Sequence, residues 1–575
     1  MYIIEFLQKF SRYKTSYSFT LMILQAIIIV GGAMMITTFM VDWLGMGSKA
    51  GFGAKQIMLF LTGFFLMLIG LPLRVKNMLI QDKVILSVIL LLGLFLRIYD
   101  LGQESIWYDE GATIFAAKLS WHQFLEWQLG DTMPPLHYIL LHGWIQLFGD
   151  SEFATRFLSV IFGMVAIIMI YKVGSLIYGK NAGILSALLL ALSVFHIQYS
   201  QEVRSYALIT PLTLLSMYFF IRLLKEKSLV VSIGYVLSSI LLVYTHHFAS
   251  FVIVAQNIYF TTLLFLPGDG NETNLKRWIF LQVLLIFLSL PLIPILLRQP
   301  SSLETINWWI PVPTWVSIIG TLQMYSTSPR LLWLFAILST FSVLSYKKIS
   351  GNIDWKKPFS SLYESYCWRV SLLNVATTYL LLLWLFVPII LLFIISRLYT
   401  PLYVNRYTIG ASLAFYLLIA VVIEYISKHR IIKLTISLLI VYLLLVNIFG
   451  GYYNRVNKDQ WREVVNNIEA NAEPGDLVLI NRDYLIKSTF DYYAKRTDLI
   501  KMSIGDIGSK PVDEDSVKKI VPMVKGFNRV WAVLHRSYDD QDLIADTLDE
   551  SYNMLFYKKY VHDIRVYLWE HPVLY

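Results

Sequence analysis

Apolar stretches close to twenty residues long recur along this chain, and they constrain it more than any other feature. They fall at 19–41, 56–73, 84–98, 153–172, 181–196, 206–223, 229–245, 248–266, 278–297, 329–345, 374–396, 408–427 and 432–452. A bilayer core is crossed by about 20 apolar residues in a helix, so the pattern predicts a polytopic α-helical membrane protein with about thirteen spans. Composition agrees. Of 575 residues 57% are hydrophobic and 15% charged, against about 25% charged in soluble domains. No soluble globule of this size hides that much apolar surface, which excludes a soluble enzyme, a secreted disulfide scaffold and a disordered chain. The single cysteine, Cys367, forms no intramolecular disulfide.

The formal charge of +9 predicts membrane orientation, with no nucleic-acid partner. With the N-terminus inside, the inner loops hold Lys9, Arg12 and Lys14, then Arg74, Lys76 and Lys83, then Arg222, Lys225 and Lys227, and later Lys428, Arg430 and Lys433. That is the positive-inside pattern, and an odd number of spans then places the C-terminus outside. The first span is too long for a signal peptide and lacks a small-residue cleavage site, so it reads as an uncleaved anchor. The expected location is a bacterial-type cytoplasmic membrane.

Composition changes near Tyr453. Trp461–Ala470 reads as an amphipathic helix, Glu473-Pro474-Gly475-Asp476 as a turn, Leu477–Ile480 and Val530–Leu534 as buried strands, and Asp540–Asp549 as a helix. Alternating strands and helices predict a small extracytoplasmic α/β domain. The expected division is an N-terminal hairpin over 1–83, a transmembrane domain over 84–453 with a large outer loop at 99–152, and the α/β domain over 454–575.

Under this topology the unusual polar residues gather on the outer side. They are Trp107-Tyr108-Asp109-Glu110-Gly111, Asp131-Thr132-Met133-Pro134-Pro135-Leu136-His137-Tyr138, Gln201-Glu202-Val203-Arg204-Ser205-Tyr206, Tyr244-Thr245-His246-His247, a Pro/Trp-rich loop from Gln299 to Trp315, and Asn405-Arg406-Tyr407. Each has a plain structural reading. Asp109 and Glu110 suit the first turn of a helix, where acids favour the dipole. Asp131 and the double proline suit a stiff turn. Arg204 and Arg406 suit interfacial anchors, and the aromatics an interfacial belt. The conjunction of two acidic motifs with arginines and histidines on one membrane face points further. A carboxylate deprotonates a hydroxyl or amine nucleophile. Arginines neutralise a departing phosphate through bidentate contacts. Transfer of a sugar from a polyprenyl phosphate to an acceptor needs both, and one direct displacement inverts the anomeric centre.

At these residues the sequence resembles the GT-C superfamily of membrane glycosyltransferases, in particular the bacterial branch related to protein O-mannosyltransferases and the lipid A aminoarabinose transferase. The motifs that carry the resemblance are those around Asp109, Asp131, Arg204, His246 and Arg406, with Asp459-Gln460-Trp461-Arg462 resembling the start of the outer domain. The resemblance implies an inverting transfer from a polyprenyl-phosphate sugar to a lipid, protein or polysaccharide acceptor. It implies Asp109 as general base, with Glu110 and Asp131 as further catalytic acids. His137, Tyr138, Arg204, Tyr206, His246, His247, Arg406 and Tyr407 are implied to bind substrate. Met133 departs from relatives that carry Lys before the Pro-Pro pair. No cofactor is assigned. A divalent cation stays an open alternative, held by Asp109, Glu110, Asp131 and His246 if these converge.

Three rivals remain. A secondary transporter predicts mid-span charges and repeat symmetry, and neither is evident. A scaffold predicts replaceable Asp109 and Arg204. An oligosaccharide transferase or ligase of the same fold predicts a larger cleft.

Overall fold

The computed structural model describes residues 78–265, 271–295, 297, 310–348, 366–370, 375–425, 430–504, 512, 517–536, 539 and 542–572. The expected spans at 19–41 and 56–73, and most of the Pro/Trp-rich loop, lie outside these residues. The first helix is α1 (Met78–Ile98), followed by three short helices, α2 (Tyr108–Lys118), α3 (Trp121–Gln128) and α4 (Leu136–Phe148). The bundle continues with α5 (Glu152–Tyr178), α6 (Lys180–Ala191), α7 (Val194–Ser200), α8 (Tyr206–Leu223), α9 (Leu229–Val243), α10 (Phe251–Leu264), α11 (Asn271–Ser289), α12 (Trp315–Ser326), α13 (Pro329–Val343), α14 (Val375–Leu398), α15 (Ile409–Tyr425) and α16 (Arg430–Asn447). Among the described residues seven helices are long and apolar enough to cross a membrane, and the bent pair α6–α7 makes an eighth. The helices α9 and α13 are apolar but shorter. The helix α12 falls in a stretch that the hydropathy pattern left as loop.

The two most buried spans run from Tyr206 and from Asn405. Between apolar helices in lipid, close backbone approach and interhelical hydrogen bonds supply the adhesion. A Cβ on Gly174 of α5 would meet the Gly183 Cα of α6 at 2.9 Å, so glycine lets these backbones touch. On the next helices Ser216 shares a 2.8 Å hydrogen bond with Ser239. Gln256 donates to Ser216 at 3.1 Å and accepts from Tyr235 at 3.1 Å.

The expected single span at 181–196 is instead broken by 61° between α6 and α7. Ser193 caps α7 by accepting from the His196 N–H at 3.3 Å. The fully buried Arg97 guanidinium donates to the Leu190 and Ala191 carbonyls at 3.2 and 3.1 Å. A cation on the carbonyls that end a helix is favoured by the dipole and satisfies groups the break would orphan. The break turns Gln201–Arg204 back toward α2.

C-terminal to α16 lies a mixed five-stranded sheet, order β4-β3-β5-β7-β6, with β3 (Leu477–Ile480), β4 (Ile500–Ser503), β5 (Arg529–His535), β6 (Asn553–Tyr560) and β7 (Ile564–Glu570). The strands β1 (Leu344–Lys348) and β2 (Tyr366–Val370) form a separate antiparallel ribbon. In the larger sheet β4, β3 and β5 are parallel, while β7 pairs antiparallel with β5 and β6. The helix α17 (Trp461–Asn471) covers one face with Trp461, Val464, Val465 and Ile468. The helix α18 (Leu543–Asp549) covers the other with Ile544, Ala545 and Leu548. The turn ahead of β3 needs Gly475, whose φ is +87°.

This unit is fastened to the short-helix segment. Arg462 pairs with Glu152 and donates to the Gln103 and Gly102 carbonyls at 3.0 and 3.1 Å. Ser105 donates to Glu463 at 2.7 Å, and the Ile106 N–H to the Tyr493 hydroxyl at 2.6 Å. A π-helical turn at Ile486–Phe490 lies directly on α2, where a Cβ on Gly111 would stand 2.3 Å from the Ser488 carbonyl oxygen. Gly111→Ala is therefore expected to destabilise by about 1–3 kcal/mol, as overpacked sites do. Gly143→Ala, in an α4 position with nothing within 4 Å of the added carbon, should be neutral or mildly stabilising. Thermal unfolding of the two variants in detergent checks this, and equal melting temperatures would contradict the close packing at Gly111.

Candidate active site

The Asp109-Glu110 pair opens α2, and a helix turns about 100° per residue, so the two side chains leave in different directions. Glu110 turns inward and is fully buried. Its Oε2 takes the Arg156 Nη2 at 2.7 Å, and its Oε1 takes Arg156 Nε at 2.9 Å, Lys458 Nζ at 3.1 Å and the Val203 N–H at 3.0 Å. Arg156 also donates to the Leu101, Glu104 and Ser105 carbonyls. Burial would raise the Glu110 carboxyl, but Arg156 and Lys458 outweigh it and hold the group at about 2. Expected as a catalytic acid, Glu110 does not line the cavity beside it; it ties together α2, α5, the Val203 loop and the segment leading to the sheet.

Asp109 turns the other way, into a cavity of about 950 Å³. Its Oδ2 lies 3.4 Å from Arg406 Nη2 and 3.9 Å from Arg204 Nη2. The same oxygen is buried and accepts no hydrogen bond from any described residue. Arg204 is steered by donating to the Asp109 carbonyl at 3.3 Å and to Thr113 Oγ1 at 3.0 Å. Both guanidiniums sit over the Tyr206 ring, Arg406 at 5.6 Å and Arg204 at 5.9 Å. Tyr206 is buried beneath them and does not line the cavity, so it acts as a platform.

Of the other expected site residues, Asp131, Tyr138, Arg204, His246, His247, Arg406 and Tyr407 line the cavity together with Asp109. Asp131 accepts from the Tyr138 hydroxyl at 2.8 Å, and burial pushes its carboxyl up despite that bond and nearby Arg204. His246 accepts from the Phe248 N–H at 3.3 Å through Nδ1 and lies 5.1 Å from the Tyr407 ring. Its Nε2 has no partner among the described residues. Burial, then His247 and Arg204, hold the ring neutral, at about 3. His137 is buried and outside the cavity, and burial brings it to about 3. Among the described residues no group of three or more His, Cys, Asp or Glu is placed to hold a metal ion. The four considered as ligands do not converge, because Glu110 is engaged by Arg156 and Lys458.

Sequence reasoning missed several residues. Arg156 is one turn inside an apolar span, a position that itself signals a buried partner. Lys458 lies in a polar segment with no such signal. The sheet unit supplies Asp483, Tyr484 and Ser488 to the cavity wall.

The chain is similar to known proteins in part of its sequence and in its fold. Residues 132–296 match the profile of the dolichyl-phosphate-mannose-protein mannosyltransferase family. ArnT from Cupriavidus metallidurans in the apo state superposes with a TM-score of 0.52 at 11% identity, covering 84% of this chain and 97% of ArnT. ArnT bound to undecaprenyl phosphate gives a TM-score of 0.53 at 12% identity, covering 85% and 98%. The fold is that of the GT-C glycosyltransferases. The apo oligosaccharyltransferase of Archaeoglobus fulgidus is a more distant likeness, with a TM-score of 0.49 at 13% identity over 86% of this chain and 74% of that one. No curated protein matches the sequence significantly. Within the GT-C fold, the broken span and the three short helices bring the expected motifs to one cavity.

Removing one partner of a buried ion pair costs about 3–5 kcal/mol, so Glu110→Gln should unfold well below wild type, and further below it than Asp109→Asn, whose Oδ2 accepts no hydrogen bond from a described residue. Folding depresses Glu110 from 4.5 to about 2. Its contribution is therefore complete above pH 4.5 and fades as pH falls toward 2, because the unfolded chain binds the proton first. Unfolding temperatures of wild type and Glu110→Gln should converge across that interval; a constant gap would contradict the assignment.

Proposed function

We propose that the protein is an inverting glycosyltransferase that moves a sugar from a polyprenyl-phosphate donor to an acceptor on the extracytoplasmic face. The observation that carries this reading is Asp109 Oδ2, which is buried in the cavity, free of hydrogen bonds from described residues, and flanked by Arg204 and Arg406. The oxygen is placed to take a proton while the guanidiniums are placed to receive an anion.

The acceptor oxygen attacks the anomeric carbon, its proton passes to Asp109 Oδ2, and the bond from that carbon to the phosphate oxygen breaks. Polyprenyl phosphate leaves with the electron pair, its charge met by Arg204 and Arg406. The neutral His246 offers a further hydrogen bond to the sugar or phosphate, and Tyr138 holds Asp131 at the cavity wall. A volume of about 950 Å³ is at the top of the range for small-molecule sites and takes a sugar together with the acceptor group. The structure of ArnT with undecaprenyl phosphate supports a lipid-phosphate donor in this fold.

The reading includes a topology of about thirteen spans, a cytoplasmic N-terminus, a hairpin over 1–83, a catalytic bundle over 84–453 and an extracytoplasmic unit over 454–575. The test is release of polyprenyl phosphate from a panel of polyprenyl-phosphate sugars by the purified protein in nanodiscs. Asp109→Asn should lower turnover by about 10²–10⁴-fold, the range for general bases, with donor binding retained. Equal turnover of wild type and variant on every donor would overturn Asp109 as the base. Arg406→Lys should raise the donor KM or lower kcat, because one ammonium does not reproduce a planar fork.

A further inference from the structure

The loop at the carboxyl end of β3 meets the cavity, to which it brings Asp483 and Tyr484. From β3 the chain passes to β4 on one side and then to β5 on the other, so the loops after β3 and β5 part in opposite directions. In open α/β sheets, ligands bind in the crevice that such a reversal creates. Here the crevice is braced from below. Asn481 donates to the His535 carbonyl at 3.0 Å and accepts the His535 N–H at 3.0 Å. Buried Asp459 holds His535 Nε2 at 3.1 Å and Arg536 Nη2 at 3.2 Å. Beyond this bracing and the buried Arg482, Asp483 and Tyr484 stand at the cavity wall, where both are exposed. The Tyr484 ring lies 4.5 Å from the Tyr108 ring, one residue before Asp109, and its hydroxyl accepts from Arg482 at 2.9 Å.

We propose that Asp483 and Tyr484, carried to the cavity by the reversal point between β3 and β5, form the acceptor subsite and that this subsite takes a saccharide. The proposal rests on the transferase reading above and adds the acceptor's place and class. Among the described residues lining the cavity, the guanidiniums are those of Arg204 and Arg406, and both are paired with Asp109. Arg204 and Arg406 face Asp109 and suit a phosphate, whereas a phosphate against Asp483 would be repelled. A carboxylate with two acceptor oxygens suits adjacent sugar hydroxyls, and exposed tyrosine faces suit the C–H face of a sugar ring. A saccharide hydroxyl held against Tyr484 and Tyr108 lies next to the residue that bears the base.

The experiment uses the full chain in nanodiscs with methyl di- and trisaccharides and, separately, Ser/Thr-containing peptides as acceptors. Wild type, Asp483→Asn, Tyr484→Leu and Tyr484→Phe are compared, with polyprenyl-phosphate binding and melting temperature as folding controls. Acceptor KM for a saccharide should rise at least tenfold in Asp483→Asn and Tyr484→Leu, and by less in Tyr484→Phe, which keeps the ring, with donor KM within twofold of wild type. Saturation-transfer NMR signals from the saccharide should fall in the same order. Unchanged acceptor KM, an equal rise in donor KM, saccharide signals indifferent to Asp483, or transfer to peptides alone would each overturn the subsite. Asp483-dependent saccharide binding without release of polyprenyl phosphate in wild type would uphold the subsite and overturn the transferase reading.

Discussion

The buried cluster of Glu110, Arg156 and Lys458 is the interaction on which the rest of this architecture depends. One carboxylate joins the first short helix, a transmembrane helix, the turn before Arg204 and the entry to the sheet unit. Charges this deep are stable only when every one is paired and hydrogen-bonded, and here both carboxylate oxygens are used. Because Val203 is bound to the same carboxylate, the cluster also fixes where the next residue, Arg204, begins. The distance from Arg204 to Asp109 is thus a consequence of how Glu110 is held.

The Asp-Glu pair shows a division of labour set by helix geometry. Adjacent residues point about 100° apart, so one acid anchors the scaffold while its neighbour faces the cavity. The arginines work in a similar way. Arg97 is engaged by carbonyls and the Ser200 hydroxyl, and Arg156 by carbonyls and the Glu110 carboxylate. Arg204 and Arg406 lie over Tyr206 with their charge directed at Asp109. Burial and bonding pattern, more than residue type, separate the structural cations from those presented to the cavity.

Much of this was legible in the sequence because membrane constraints are strong. Span positions such as 206–223 match the helix residue for residue, since a backbone that crosses a bilayer satisfies its own hydrogen bonds as a helix. The cavity residues were legible as a set, because Asp109, Asp131, Arg204, His246 and Arg406 all fall in loops or at helix ends that the span pattern assigns to one side of the bundle. Their individual roles were not. Glu110 and Asp109 are adjacent and chemically alike, and only the partners Arg156 and Lys458, 46 and 348 residues away, distinguish them. Likewise His137 looked equivalent to Tyr138 beside it, yet one is packed away and the other reaches Asp131. The strands β6 and β7, largely one exposed and one buried, gave no clear alternation to read. The contribution of Asp483 and Tyr484 depends on sheet topology, which local sequence does not encode.

The central claim is that the pair of arginines facing Asp109 receives the phosphate of a polyprenyl carrier. A structure of the full protein in nanodiscs with polyprenyl phosphate tests it most directly. The account predicts phosphate oxygens within hydrogen-bonding distance of Arg204 and Arg406, with the Asp109 carboxylate beside the phosphate and facing the space for a sugar. A phosphate seated elsewhere in the bundle, with both arginines still turned to Asp109 alone, would contradict it.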